Sequence, residues 1–196
     1  MLTKTQLKVM QIFTSKINEK FSIKQISEIL KKTYPLIHRS IQELIQNNFV
    51  LKDSKELLSL NYKENHQELA YIESSRAKEF LNKNKTLSLF IRDALENLKS
   101  DFFILLVFGS SVEKEGRDTD LLFIFNKKDL ENNERVIRNT SENFTLKLDI
   151  NAISVESAYE MLSKRDNVNV LNETLNKHVI LFGAENYYRI LKNARQ

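Results

Sequence analysis

The chain has no cysteine, one proline and three glycines among its 196 residues. Without cysteine there is no disulfide and no thiolate zinc site. The three histidines, His38, His66 and His178, are scattered without metal-ligand spacing, as expected of surface or satisfied residues. No apolar stretch reaches the roughly 20 residues of a membrane-spanning helix. The first residues also lack the pattern of a secretory signal. These absences lead to the expectation of a soluble, cytoplasmic protein with no membrane partner. The scarce residues are placed unevenly: Pro35 stands in the first third of the chain, whereas Gly109, Gly116 and Gly183 come later. Charge is uneven too. Residues 1–65 carry 11 Lys and Arg against 6 Asp and Glu, a balance of +5, and residues 66–196 carry 19 against 20, a balance of −1. A basic module joined to a nearly neutral one suggests that the first meets a polyanion.

The length suits two small domains or one medium one. The patterning divides the chain into residues 1–65, a connecting helix over 66–83 and a second domain over 84–196. In the first part, Leu2 to Ile17 carries apolar residues at helical spacing. Ser22 reads as the N-cap of a second helix bearing Ile23, Ile26, Ile29 and Leu30. After the turn Lys31-Lys32-Thr33, Pro35 falls in the first turn of a third helix that Asn47-Asn48 stops. Two β-like runs follow, Phe49–Leu51 and Leu57–Leu60.

This order of helix, helix, short turn, helix and hairpin resembles a winged helix-turn-helix domain. The resemblance implies double-stranded DNA as a partner, with the third helix in the major groove. Thr33, Tyr34, His38, Arg39 and Gln42 would face the bases. Lys31 and Lys32, with Lys52 and Lys55 in the wing, would meet phosphates. The plainer reading is a small helical domain with solvated lysines, and winged helices also mediate protein contacts.

In the second domain, Leu87, Phe90, Ile91, Ala94, Leu95 and Leu98 share one helical face and read as core. An apolar run, Phe102 to Phe108, then ends in Gly109-Ser110. After seven intervening residues Asp118-Thr119-Asp120 opens a second run, Leu121 to Phe125. Residues two apart on a strand point to the same face, so Asp118 and Asp120 stand side by side. Carboxylates that close need a cation or a raised pKa, and hard oxygen donors suit Mg²⁺. A Gly-Ser turn brings backbone N–H groups near a phosphate. In the later segment from Leu146 to Ala152, alternation places Leu146, Leu148, Ile150 and Ala152 on one face, and Lys147, Asp149 and Asn151 on the other. Asp149 therefore lies on a polar face. The parts together suggest binding of a metal–nucleoside triphosphate.

Gly109-Ser110, the Asp118-Thr119-Asp120 pair and Asp149 occur in the order found in the nucleotidyltransferase superfamily. That family includes DNA polymerase beta, the tRNA CCA-adding enzymes and the minimal nucleotidyltransferases, and the resemblance spans roughly Asn84 to Gln196. It implies an α+β fold with a mixed sheet flanked by helices. It also implies transfer of a nucleoside monophosphate from a nucleoside triphosphate, ATP first, to a hydroxyl. Asp118, Asp120 and Asp149 would be the catalytic acids and the Mg²⁺ ligands. Gly109, Ser110 and Ser111 would hold the nucleotide.

The chain departs from the family in the segment after Ser110. The loop is shorter, and Val112-Glu113-Lys114 stands where the family has Arg-Gly or Lys-Gly. Gly116 would then take the turn, and Lys114 or Arg117 would supply the positive charge. The acceptor is not legible: a partner protein, an RNA end and a small molecule all remain open. A rival reading is a DNA-binding regulator whose nucleotidyltransferase-like domain only senses nucleotide or mediates assembly. The tail, from Lys177 through Gly183 to Tyr188, resembles the end of many minimal nucleotidyltransferases. Tyr187 and Tyr188 read as packing or dimer residues, so a homodimer is a candidate assembly.

Overall fold

A computed structural model describes residues 2–112, 118–164 and 168–196. The chain begins with three helices, α1 (Lys4–Ser15), α2 (Ile23–Leu30) and α3 (Tyr34–Gln46). The first two open on capping boxes. Thr3 Oγ1 accepts from Gln6 N at 3.2 Å while Gln6 Oε1 accepts from Thr3 N at 2.8 Å. Ser22 and Gln25 repeat the exchange at 3.2 and 2.8 Å. Each box satisfies two backbone donors that a helix start would otherwise leave bare. Pro35 sits in the first turn of α3, where its missing N–H costs nothing. A hairpin follows, β1 (Val50–Lys52) antiparallel to β2 (Leu58–Leu60), with Val50 opposite Leu60. Phe21 adds a bridge to the hairpin through bonds to Leu58 of 2.9 and 2.8 Å. Val9, Met10, Phe13, Ile26, Ile37, Ile41 and Leu58 close the core beneath.

The remaining elements are α4 (His66–Lys83), α5 (Lys85–Asn97), β3 (Phe103–Phe108), a 3₁₀ turn (Gly109–Val112), β4 (Thr119–Phe125), α6 (Leu130–Ser141), β5 (Leu148–Ser154), α7 (Val155–Ser163), α8 (Val170–Thr174), β6 (His178–Phe182) and α9 (Ala184–Ala194). The four strands lie in the order β5-β4-β3-β6. β4 and β5 run parallel, and β3 is antiparallel to both β4 and β6. The fold is therefore α+β, with a mixed sheet between helices.

Alternation along the strands sends side chains to two different cores. Leu105, Val107, Leu121, Phe123 and Ile150 pack with Phe90, Ile91 and Ala94 of α5 and Ile137 of α6. Ile104, Leu106, Leu122, Ile124 and Ile180 pack on the opposite face with Leu162, Tyr187, Tyr188 and Leu191. That second core continues through Leu69 and Ile72 of α4 into Met10 and Phe13 of α1. Tyr187 and Tyr188 are fully buried packing residues. Among the described residues, no helix is long and apolar enough to cross a membrane.

β6 ends the sheet on one side, and its outward backbone groups are met by side chains of α4. Arg76 Nη2 donates to His178 O, and Glu73 Oε2 accepts from Ile180 N at 3.5 Å. Arg76 Nη1 donates to both oxygens of Glu73 at 2.7 Å, and Tyr188 Oη donates to Glu73 Oε1 at 3.0 Å. A carboxylate and a guanidinium thus stand where the backbone of a further strand would. Such cover keeps an edge from pairing with another chain.

His178 lies inside the same cluster. Its Nδ1 donates to Thr174 O at 2.6 Å, because a carbonyl can only accept. Its Nε2 is buried without a partner, 3.9 Å from Glu73 Oε1. Burial, reinforced by the Arg76 charge, pulls the imidazole down to about 3. Burial pushes the Glu73 carboxyl up, against the pull of Arg76 and the Tyr188 hydrogen bond.

Candidate functional site

Two of the predicted acids, Asp120 and Asp149, are neighbours at one end of the sheet. β4 and β5 are in register so that Asp120 stands directly opposite Asp149. Parallel neighbours in register present their side chains to the same face. On its other flank Asp120 pairs with Phe108, the last residue of β3, and Phe108 pairs with His178 of β6. One row across the sheet therefore reads Asp149, Asp120, Phe108, His178. Asp118 immediately precedes β4 and is exposed, as is Asp149, while Asp120 is half-buried.

The Gly109 turn is built against this row. Gly109 has φ +74°, a region that costs an L side chain but not glycine. A Cβ there would lie 2.5 Å from Asp120 Oδ2. Only glycine lets the backbone approach the carboxylate so closely. Gly109 N donates to Lys177 O at 3.2 Å, which ties the turn to the segment before β6. Ser111 is buried and its Oγ donates to Phe108 O at 3.2 Å, closing the turn. Ser110 is the partly exposed hydroxyl of the pair. Gly116, Lys114 and Arg117, the candidates for the turn and its charge, lie outside the described residues.

Among the described residues, no cation offsets the charge at Asp120. Burial first, then the charges of Asp149, Asp118 and Glu173, push the Asp120 carboxyl above the usual range. Glu173, on α8, was not foreseen from the sequence. Its helix has five residues, too few for a periodic signal, and only the tertiary fold brings it beside Asp120. Among the described residues, no three His, Cys, Asp or Glu side chains are drawn together as a metal-ligand group. The donor set is nonetheless all oxygen, as a hard divalent cation requires. The repulsion on Asp120 is the quantity that such a cation would cancel. In composition and charge, Asp118, Asp120 and Asp149 fit Mg²⁺.

The predicted nucleic-acid residues lie on the α2–α3 turn, α3 and the hairpin. Lys31, Lys32, Thr33, Tyr34, His38 and Arg39 are exposed along the α2–α3 turn and the start of α3, and Gln42 is half-buried one turn on. Lys31 adopts the left-handed conformation at φ 51° and turns the chain between the two helices. Tyr34 and His38 stack with ring centroids 6.0 Å apart. Lys52 and Lys55 are exposed on the hairpin. Lys52 pairs with Glu56 at 2.5 Å, and Lys20 pairs with Asp53 at 2.7 Å. Asp53 also accepts from the backbone N–H of Lys55 and Leu57 at 2.9 and 3.0 Å, shaping the hairpin turn. The Lys20 hydrogen bond holds the Asp53 carboxyl below the usual range.

No family model matches the chain, and neither a curated protein nor a solved structure matches it.

Proposed function

We propose that the protein transfers a nucleoside monophosphate from a nucleoside triphosphate, ATP first, to a hydroxyl of an acceptor molecule. The observation that carries this reading is the pairing of Asp120 with Asp149 beside the Gly109 turn. Two carboxylates stand in register, a third lies two residues away in the chain, and a glycine backbone is packed against one of them. Asp118, Asp120 and Asp149 would hold Mg²⁺. When bound, that ion supplies charge neutralisation for the triphosphate and for the oxygens that attack and leave. The Ser110 N–H and hydroxyl, presented by the Gly109 turn, orient the terminal phosphates. Asp149, the exposed acid of the row, takes the proton of the acceptor hydroxyl. The acceptor oxygen bonds to the α-phosphorus, the bond to the leaving oxygen breaks, and pyrophosphate departs.

A winged helix-turn-helix role for residues 1–65 in binding duplex DNA is part of the same proposal. It is supported by the exposure of Lys31, Lys32, Thr33, Tyr34, His38 and Arg39 on one contiguous stretch. The exposure of Lys52 and Lys55 on the hairpin supports the same role. The second reading, a DNA-binding regulator that senses nucleotide without transferring it, is favoured by that same exposed surface. One experiment separates the two. The pure protein is incubated with labelled ATP, GTP, CTP or UTP and Mg²⁺, with and without cell extract. Label transferred to any acceptor supports the enzyme. A protein that binds ATP yet transfers no label leaves the regulator.

A further inference from the structure

The hairpin and the Gly109 turn are joined by a short run of hydrogen bonds. At the hairpin, Asp53 accepts from Lys20, and Phe21 exchanges backbone bonds with Leu58. Three residues before Lys20, Ile17 N donates to Leu175 O at 2.7 Å. Two residues after Leu175, Lys177 O accepts from Gly109 N at 3.2 Å. The α1–α2 connection therefore touches the hairpin at one end and the α8–β6 segment at the other, and that segment touches the turn beside Asp120. The joint is reinforced at Arg195, a buried side chain. Arg195 donates to Asn18 Oδ1 at 3.0 Å, to Asn172 Oδ1 at 2.8 Å and to Leu162 O at 3.3 Å. Ile17, Leu171 and Leu175 are buried around the joint in one continuous core. A packed joint of this kind passes a shift on rather than absorbing it.

We infer that the α1–α2 connection and the α8–β6 segment couple the two sites, so that duplex DNA on the hairpin and nucleoside triphosphate on the Gly109 turn change each other's affinity. This rests on the nucleotide and DNA readings above. Phosphate contacts by Lys52 and Lys55 draw on the hairpin turn that Asp53 shapes, and Asp53 is tied to Lys20. Triphosphate contacts at Gly109 draw on the turn that Lys177 holds. Coupling between binding sites is reciprocal, so the factor must be the same in both directions.

The test uses the full chain. ATP is titrated with Mg²⁺ present, with and without saturating duplex DNA, and duplex is then titrated with and without saturating Mg-ATP. The expected result is a change of at least about fivefold, the lower end of ordinary coupling, equal in the two directions. Asn18→Ala should keep both single-ligand affinities within about twofold, and Lys20→Ala should keep ATP affinity within about twofold while losing some duplex affinity with its charge; each should lower the coupling factor. Thermal melting shows whether either variant has lost its fold, and each replaces only an exposed or half-buried side chain, so one serves if the other fails. Both ligands binding with no mutual effect overturns the coupling and leaves the nucleotide reading intact. Coupling undiminished in both variants overturns the assigned route. Failure to bind ATP at all overturns the nucleotide reading and the coupling together, and failure to bind duplex removes the DNA reading and the coupling.

Discussion

Two polar clusters share one row and one face of the sheet, and they differ in charge balance. At the β5–β4 end, Asp118, Asp120 and Asp149 are exposed or half-buried carboxylates with Glu173 near and no paired cation among the described contacts. At the β6 end, Glu73, Arg76 and His178 are buried, and the acid and the guanidinium satisfy each other. Phe108 separates the two. The buried cluster has its counter-charge built in, so its role is to hold α4, β6 and α9 together. The open cluster has repulsion built in, and repulsion between solvent-reachable acids has no structural use. It marks the place where a ligand of opposite charge would be stabilising. The comparison therefore separates structure from function by charge balance rather than by residue type.

The largest expected effect breaks the buried end. Glu73→Ala leaves Arg76 charged and unpaired and removes an acceptor from Ile180 N and Tyr188. Removing one partner of a buried pair costs about 3–5 kcal/mol. Urea unfolding should show a loss of that order. The uncovered β6 edge should also make the variant self-associate in sedimentation. A variant as stable as the parent would show that the cluster does not bind α4 to the sheet.

Next in size is the open end. Asp149→Ala should keep ATP affinity within a few-fold, because Asp118 and Asp120 remain. It should slow transfer by at least ~100-fold, the lower range for a positioned catalytic group, because an interaction made mainly in the transition state lowers kcat rather than binding. Titration of ATP and a labelled-transfer assay are run side by side. Equal transfer by the variant removes Asp149 from the chemistry.

The two ends were not equally legible in sequence. The open end was read directly, because each part is local. A Gly-Ser after an apolar run, an Asp-x-Asp before another and the alternation around Asp149 need only the period of a strand. The register that sets Asp120 opposite Asp149 agrees with that alternation. The capped start of α2 at Ser22 and the proline in the first turn of α3 were legible for the same reason. The buried end was hidden. Glu73 and Arg76, three apart on a polar helix, look like a solvated pair. Only the approach of β6, about a hundred residues later in the chain, turns them inward. His178 read as a scattered histidine, and Glu173 gave no pattern. Both depend on how the chain returns after α8, which no local period encodes.

A third prediction concerns acid. The His178 imidazole is pulled down to about 3 in the folded protein, against about 6.5 unfolded. The unfolded chain then binds the proton first, so this residue removes stability as pH falls from 6.5 toward 3. Between pH 7 and pH 5 the loss is about 2 kcal/mol, at ~1.36 kcal/mol per unit. His178→Asn keeps a donor for Thr174 O and does not titrate. The difference in stability between pH 7 and pH 5, each protein measured against itself, should shrink by that amount. An unchanged difference would mean that the ring titrates normally and the cluster is open to water.

The smallest effect is the one that tests the repulsion itself. The Asp120 carboxyl is raised by burial and by three neighbouring acids. A carboxyl raised in the folded state contributes stability below its unfolded value. That contribution is lost as pH rises through the folded value, so at neutral pH the ionised group is a net cost. Asp120→Asn removes the charge and keeps the shape. Allowing for solvent screening of a half-buried group, the gain is about 0.5 kcal/mol, or about 1–2 °C in Tm for a chain of this size. The gain should fade as pH drops below about 4, where the parent acid is itself protonated. It should also shrink in high salt. Adding Mg-ATP should reverse the order, because the parent gains a thermal shift that the variant lacks. A variant less stable than the parent at neutral pH and low salt would mean that Asp120 has a compensating partner. The contrast between the two ends of the row would then no longer hold.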